Sequence, residues 1–311
     1  MSDLRATREA YGPSLIHLVE QGVDVVALDA DLSKSTTTAK FAAVFPKRFF
    51  NVGVAEQNMM GVAAGLAASG KIAYTGSFAV FATGRAFDQI RNTICYGNLN
   101  VKICPTHAGI TVGADGASHQ ALEDIALMRA LPNMKVIVPA DYFEAAAAVR
   151  AVSAIDGPAF VRLGRAPVPA VFDESYEFEL GRARTLAKGS DVTILACGVL
   201  VDQALAARAM LAEEGVDAEV INISTIKPLD VDAIVGSAER TGRVVTCEEH
   251  TILGGLGSAV AETLAEHLPT KMKRVGVADR FGTSGAAAEL LEAYGLSAGH
   301  IAAAVRELGR R

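Results

Sequence analysis

The sequence predicts an α/β protein built from two doubly wound domains. Three observations carry that reading. Short Val/Ile-rich runs alternate with helical patterns, as in a parallel sheet covered by helices. The alternation pauses over residues 166–190, where Pro167, Pro169, several acidic residues and Gly189 leave no long apolar period. It then resumes as a second series. A length of 311 residues suits about two domains. The boundaries are expected at residues 1–172 and 186–311, with a linker at 173–185.

In the first series the predicted strands are residues 24–28, 71–74, 100–104, 135–138 and 159–163. Their β-branched side chains fit a pleated, buried surface. A helix opens at Glu56 and runs through small and apolar residues, and helical periods follow at 121–130 and 142–154. In the second series strands are predicted at 192–196, 218–223, 243–247 and 274–277, with helices at 202–213 and 258–268. No short repeat or low-complexity tract interrupts either series.

Composition excludes several classes of function. The formal net charge is -6 and no Lys/Arg cluster stands out. That argues against nucleic acid as a partner and against an anionic membrane surface. Gly, Lys and Asp interrupt every apolar run before it could span a bilayer. Met1-Ser2-Asp3-Leu4-Arg5 lacks the apolar core of a signal peptide. Cys95, Cys104, Cys197 and Cys247 form no CxxC pair and read as buried thiols of a reducing compartment. The expected location is the cytoplasm.

Ligands of open α/β sheets gather at the carboxyl ends of the strands. Four polar groups fall there: residues 29–35, 105–109, 113–120 and Arg165. Within Phe49-Phe50-Asn51-Val52-Gly53-Val54-Ala55-Glu56, the acid stands at the head of an otherwise apolar helix. Burial without a cation would raise its pKa, and such a carboxyl is a candidate for proton chemistry. Taken singly, these residues have plainer readings. Glu56 suits a helix N-terminus, Ser35 a helix cap and Asp115-Gly116 a turn. Phe78 and Phe81 have core spacing, His107 and His119 can bond to loop backbone, and Arg165 can be solvated. Glu248-Glu249-His250 is too sparse for a metal site, and no metal ligands are assigned. Gly254-Gly255-Leu256-Gly257 lacks the GxGxxG spacing and reads as a tight turn.

Taken together, in order and with this spacing, the motifs resemble the C-terminal half of the transketolases, which use thiamine diphosphate. The Glu56 segment resembles the family's pyrimidine-binding glutamate motif. Thr75-Gly76-Ser77-Phe78-Ala79-Val80-Phe81 resembles its aromatic pocket, and Gly113-Ala114-Asp115-Gly116-Ala117-Ser118-His119-Gln120 its substrate loop. The resemblance implies a pyrimidine-binding domain followed by a transketolase C-terminal-type domain. It gives Glu56 the aminopyrimidine ring nitrogen, favouring the tautomer that takes a proton from thiazolium C2. Phe78 and Phe81 would stack on the pyrimidine, Leu32 would hold the cofactor bent and Asp31 would lie near the thiazolium. On the substrate side, His119 and Asp115 match groups that contact the donor's hydroxyls, with His119 also catalytic. Arg8, Ser35, His107 and Arg165 match the sugar-phosphate anchor.

Two departures qualify the likeness. The family's third pocket aromatic is absent, with Gly84 near its place. The Gly-Asp-Gly then Asn signature that binds Mg²⁺ (or Ca²⁺) and the diphosphate is also absent. The resemblance therefore implies a partner N-terminal subunit carrying that signature and the metal, in a dimer of heterodimers acting on sugar phosphates. Three alternatives compete. A 2-oxo-acid dehydrogenase beta subunit shares the two-domain layout but needs no sugar-phosphate anchor. Deoxyxylulose-phosphate synthase shares the Gly113-Ala114-Asp115-Gly116 run and much of the second domain, but usually has arginine at the place of His107 and carries its diphosphate domain on the same chain. A non-catalytic scaffold need not keep Glu56, Phe78, His107, Asp115 and His119 together.

Overall fold

The first series runs β1 (Leu4–Ala6), α1 (Tyr11–Glu20), β2 (Val25–Asp29), α2 (Ser33–Thr36), α3 (Thr38–Val44), β3 (Phe49–Asn51), α4 (Glu56–Ala68), β4 (Ile72–Gly76), β5 (Val101–Ile103), α5 (Asp124–Arg129), β6 (Lys135–Ile137), α6 (Tyr142–Ala151), β7 (Ala159–Val161) and β8 (Pro167–Pro169). The second runs β9 (Arg184–Ala187), β10 (Val192–Ala196), α7 (Leu200–Glu213), β11 (Ala218–Asn222), β12 (Thr225–Lys227), α8 (Val231–Thr241), β13 (Arg243–Thr251), α9 (Leu256–His267), β14 (Lys271–Val277), α10 (Ala287–Ala293) and α11 (Ala298–Leu308). This computed structural model describes residues 4–309. Residues 1–3 and 310–311, the outer ends of the two expected domains, lie outside the described residues.

Two sheets dominate. The larger has seven strands in the order β12-β6-β7-β5-β4-β2-β3, and the smaller five in the order β14-β13-β10-β11-β9. Strands β2 to β7 are parallel, as are β10, β11, β13 and β14. Every residue of β2 and β10 is buried, the pattern of strands covered on both faces. The 166–190 stretch, read from sequence as a linker, contains β8, which pairs with β1, and β9, an antiparallel edge strand. Strand β12 leaves the second series and pairs antiparallel with β6 of the larger sheet. The two units are thereby joined by backbone as well as by side chains. One apolar core runs through both, from Leu28, Ile103 and Phe160 to Leu195, Ile221 and Val244.

Buried charges cross between the units in pairs and networks, as burial requires. Arg162, just past β7, donates from Nε to Asp124 Oδ2 (2.7 Å) and from Nη2 to Asp124 Oδ1 (3.1 Å) and the Glu249 carbonyl (3.0 Å). Its Nη1 lies 3.6 Å from Glu249 Oε2. Burial lowers the Arg162 guanidinium, but Asp124 and Glu249 outweigh it and the net direction is up. Glu144 on α6 accepts from Asn222 Nδ2 (2.9 Å), from the Tyr176 hydroxyl (2.9 Å) and from the Ala140 amide (2.7 Å).

The larger sheet fixes where a ligand can lie. β3 and β4 flank β2 on opposite sides, so the chain reverses direction across the sheet beside β2. In an open α/β sheet the crevice lies at the carboxyl ends next to such a reversal.

Candidate active site

The loops after β2, β3, β4, β5 and β7 meet at this carboxyl edge. After β2, Asp29 is fully buried and shapes the turn. Its Oδ1 accepts the Leu32 amide (2.6 Å), and its Oδ2 accepts the hydroxyls of Thr36 (2.7 Å) and Thr38 (2.8 Å). Burial raises the Asp29 carboxyl, against the opposing pull of those donors. Asp31 follows in the left-handed region at φ 65° and faces solvent. Asn51 at the end of β3 ties this turn to the next loop. Its Oδ1 accepts the amides of Asp31 (3.1 Å) and Gly53 (3.0 Å), and its Nδ2 donates to Asp31 Oδ1 (2.9 Å). Asp31 and Leu32 are thus fastened to the segment that leads into Glu56.

Glu56 is the first residue of α4, and only 2% of its side chain is exposed. The expectation of a buried carboxylate holds, but the condition of burial without a cation does not. Arg85 Nη1 donates to both Glu56 oxygens, at 3.0 and 2.9 Å. Half of the Arg85 side chain stays exposed, and its Cζ lies 4.5 Å from the Phe81 ring centroid. Sequence reasoning missed Arg85. The available signal was its position four residues after Phe81, in the π-helical segment Phe81–Arg85.

Phe78 and Phe81 are brought together as expected, with near-parallel rings 6.1 Å apart. They are not equivalent. Phe78 is buried and the His107 imidazole stacks on it at 3.8 Å. Phe81 is half-buried and carries Arg85. His119 stands edge-on to both rings, 6.2 Å from Phe78 and 5.3 Å from Phe81, with Nδ1 2.9 Å from Ser118 Oγ. Gly84 is exposed and leaves the third aromatic position empty of a ring.

Cations gather beside this cluster. Arg8 Nη1 donates to the Ser35 carbonyl (2.7 Å) and lies 3.4 Å from His107 Nε2. Arg8 Nε is buried without a partner. Burial and then the nearby Arg165 charge pull the Arg8 guanidinium down. Arg165 lies 3.7 Å from Asp115 Oδ2 and donates to the Val112 carbonyl, joining the two anchor and substrate-loop candidates. Ser35 takes part through its carbonyl, within the short helix α2 and not as its cap. His107 is held in the left-handed region at φ 58°. Burial, then Arg8, Arg165 and His119, push its pKa down to about 3. A guanidinium only donates, so Nε2 is the acceptor and the proton sits on Nδ1, 2.8 Å from Thr106 Oγ1. His107 is therefore a neutral member of a cationic group.

All eleven candidates lie along this edge. The two patterns set aside from sequence have structural duties elsewhere. Glu248 accepts the amides of Leu256 (2.7 Å) and Gly257 (2.8 Å), so an internal carboxylate fills the α9 N-terminus. His250 Nε2 accepts the Ala126 amide (3.3 Å). Among the described residues no group of His, Cys, Asp and Glu has the geometry of a metal site, and no helix is long and apolar enough to cross a membrane. The four cysteines are free and buried.

Comparison with known proteins agrees with the geometry. Residues 4–170 match the family model of the transketolase pyrimidine-binding domain, and residues 181–301 match that of the transketolase C-terminal domain. The chain belongs to the transketolase family. It is 44% identical to a 6-deoxy-6-sulfo-D-fructose transketolase subunit of Clostridium sp., over 98% of this chain and 94% of that protein. It is 40% identical to an apulose-4-phosphate transketolase subunit of Phocaeicola vulgatus, over 95% of each. A solved split-gene transketolase, described as an inactive β4 tetramer, superposes with a TM-score of 0.90 at 54% identity, covering 97% of each chain. Membership of this family implies dependence on thiamine diphosphate.

Proposed function

We propose that this chain is the C-terminal subunit of a two-chain transketolase that moves a two-carbon ketol unit from a ketose phosphate to an aldose phosphate. The observation that carries the reading is that the carboxyl edge of one sheet brings an acid and aromatic rings beside Arg8, Arg165 and neutral His107, which stacks on Phe78. Two guanidiniums sharing so little counter-charge suit a phosphate dianion. Anchoring the far end of the substrate orients its carbonyl for reaction.

The residues fit the pyrimidine end of thiamine diphosphate. Glu56 is buried and its partner Arg85 is half exposed, so a ring nitrogen can take the place of a side chain that is free to swing out. When bound, the cofactor supplies the carbanion equivalent that the transfer needs. Glu56 would hold a proton at the ring nitrogen, Phe81 with Phe78 beside it would offer an aromatic face, and Leu32 and Asp31, fastened to Asp29 and Asn51, would border the cofactor. His119 and Asp115 would face the donor's hydroxyls, and His119 would relay a proton there. Arg8, Arg165, the Ser35 turn and His107 hold the phosphate.

The diphosphate end has no counterpart here, because the sequence holds no Gly-Asp-Gly. A partner N-terminal subunit with Gly-Asp-Gly and Asn, holding Mg²⁺ or Ca²⁺, completes the site in a cytoplasmic dimer of heterodimers. That the solved β4 assembly is described as inactive supports this division of labour. The relatives named for sulfonated and branched sugars widen the donors worth testing. The test is a panel of ketose phosphates, a sulfonated ketose and 2-oxo acids, assayed with this chain plus an N-terminal transketolase subunit that carries Gly-Asp-Gly. Ketol transfer from a ketose with an anionic end is expected. Turnover of 2-oxo acids alone would favour the dehydrogenase reading, and no turnover of any donor the scaffold.

A further inference from the structure

The substrate loop is gripped by the second unit. Residues 110–119 carry Asp115 and His119 but form no sheet of their own: a 3-10 segment, Ile110–Asp115, is kinked at Gly113. Two elements of the second unit hold the loop. At its start, Glu249 of β13 accepts the Thr111 amide through Oε1 (2.6 Å), and a Cβ on Gly109 would fall 2.2 Å from the Glu249 carboxyl carbon. At its end stands Gln120, 4% exposed. Its Nε2 donates to the Ile110 carbonyl (3.1 Å) and across the units to the Thr283 carbonyl (2.9 Å), with the Gly113 carbonyl 3.4 Å away.

The segment around Thr283 is shaped to receive this contact. A Cβ on Gly282 would fall 1.8 Å from Gln120 Oε1 and 2.7 Å from Ile110 Cδ1. A Cβ on Gly116, which sits at φ 77°, would meet Ser284 Oγ at 2.6 Å, and one on Gly113 would lie 3.3 Å from the Gly285 carbonyl. Gly282 thus leaves room for the Gln120 and Ile110 side chains, Gly116 for the Ser284 hydroxyl and Gly113 for the Gly285 carbonyl, and the Gln120 amide spans the join.

We propose that residues 282–285 of the second unit set the position of the substrate loop, with Gln120 as the positioning residue that locks Asp115 and His119 in place. The second unit then does more than support the fold: it determines how well the donor is held. The inference relies on the proposed function only for what the loop touches, since the clamp itself can be read without substrate.

Two variants test it, Gln120→Met and Gly282→Ala. The first removes the donor at similar size, and the second drives the Gln120 amide from its seat. Amide hydrogen exchange on the purified chain is expected to quicken about tenfold at residues 113–119, with exchange in β2 and β10 unchanged. With the partner subunit, the KM for the ketose donor is expected to rise about tenfold while deuterium exchange at C2 of bound thiamine diphosphate keeps its wild-type rate. Unchanged loop exchange in both variants overturns the proposal, as does equal loss of donor binding and of C2 exchange. If Gln120→Met does not fold, Gly282→Ala decides alone. If the wild-type pair transfers no ketol unit, the functional reading fails while the amide exchange still decides the clamp.

Discussion

Three side chains govern what the crevice can do. His107 is buried 3.4 Å from the Arg8 guanidinium and within reach of the Arg165 charge, and its depressed pKa keeps it neutral near pH 7. In the unfolded chain it titrates near ~6.5. The unfolded state thus binds the extra proton first, so stability falls as pH drops below about 6.5 and the loss continues toward the folded value near 3. Histidine ¹⁵N NMR should show His107 flat from pH 8 to 5, whereas a midpoint near 6.5 would mean the ring is not enclosed as described. Arg85 governs Glu56. Arg85→Ala should destabilise the free chain by about 1–2 kcal/mol by leaving a buried carboxylate unpaired. The same change should cost the cofactor-loaded pair less, since there Arg85 has already yielded its place. Thermal melts with and without cofactor and partner measure the difference, and equal losses in both states would count against displacement. Glu56 was legible in sequence because an acid stood at the head of an apolar helix. Arg85 was not, because nothing in a linear string says that a side chain from the segment after β4 returns to the start of α4.

At the level of elements, buried strands were legible and several edge strands were not, although β5, β6 and β7 are themselves only three residues long. Helix α6 and the 3-10 turn after it fill the expected 142–154 span, since an alanine-rich run with an Asp141 cap has little else to form: Asp141 Oδ1 accepts the Glu144 amide at 2.8 Å. The edge strands β8, β9 and β12 have three, four and three residues. They owe their form to the neighbour they pair with, and they lack the apolar run that marks the buried strands of the same length. The Arg162 network belongs to the same scale, because it joins β7, α5 and β13. Arg162→Met should cost roughly 3–5 kcal/mol by stranding Asp124 and Glu249 without their cation. Glu249→Gln keeps an acceptor for the Thr111 amide and should cost less. Urea unfolding ranks the two, and the reverse order would show that the ion pair is dispensable.

For the whole molecule, the site is an edge where one sheet's loops converge and a second unit steadies one of them. Ten of the eleven candidates follow strands of the larger sheet that end on that edge, and Arg8, after β1 of a separate two-stranded sheet, reaches it through the Ser35 carbonyl. How the second unit holds the loop was hidden, since the Thr283 carbonyl and the glycines that face it carry no chemical signature, and nothing in a linear string says that Glu249 reaches the Thr111 amide. The central claim is that Glu56 activates thiamine diphosphate only when another chain brings the diphosphate end to it. Deuterium exchange at C2 of the cofactor, followed by NMR, measures this most directly. The pair of chains should exchange rapidly. Either chain alone, and the pair carrying Glu56→Gln, should be slower by about 10²–10⁴-fold, the usual contribution of a positioned acid-base group. Rapid exchange by this chain alone, or by the Glu56→Gln pair, would contradict the account.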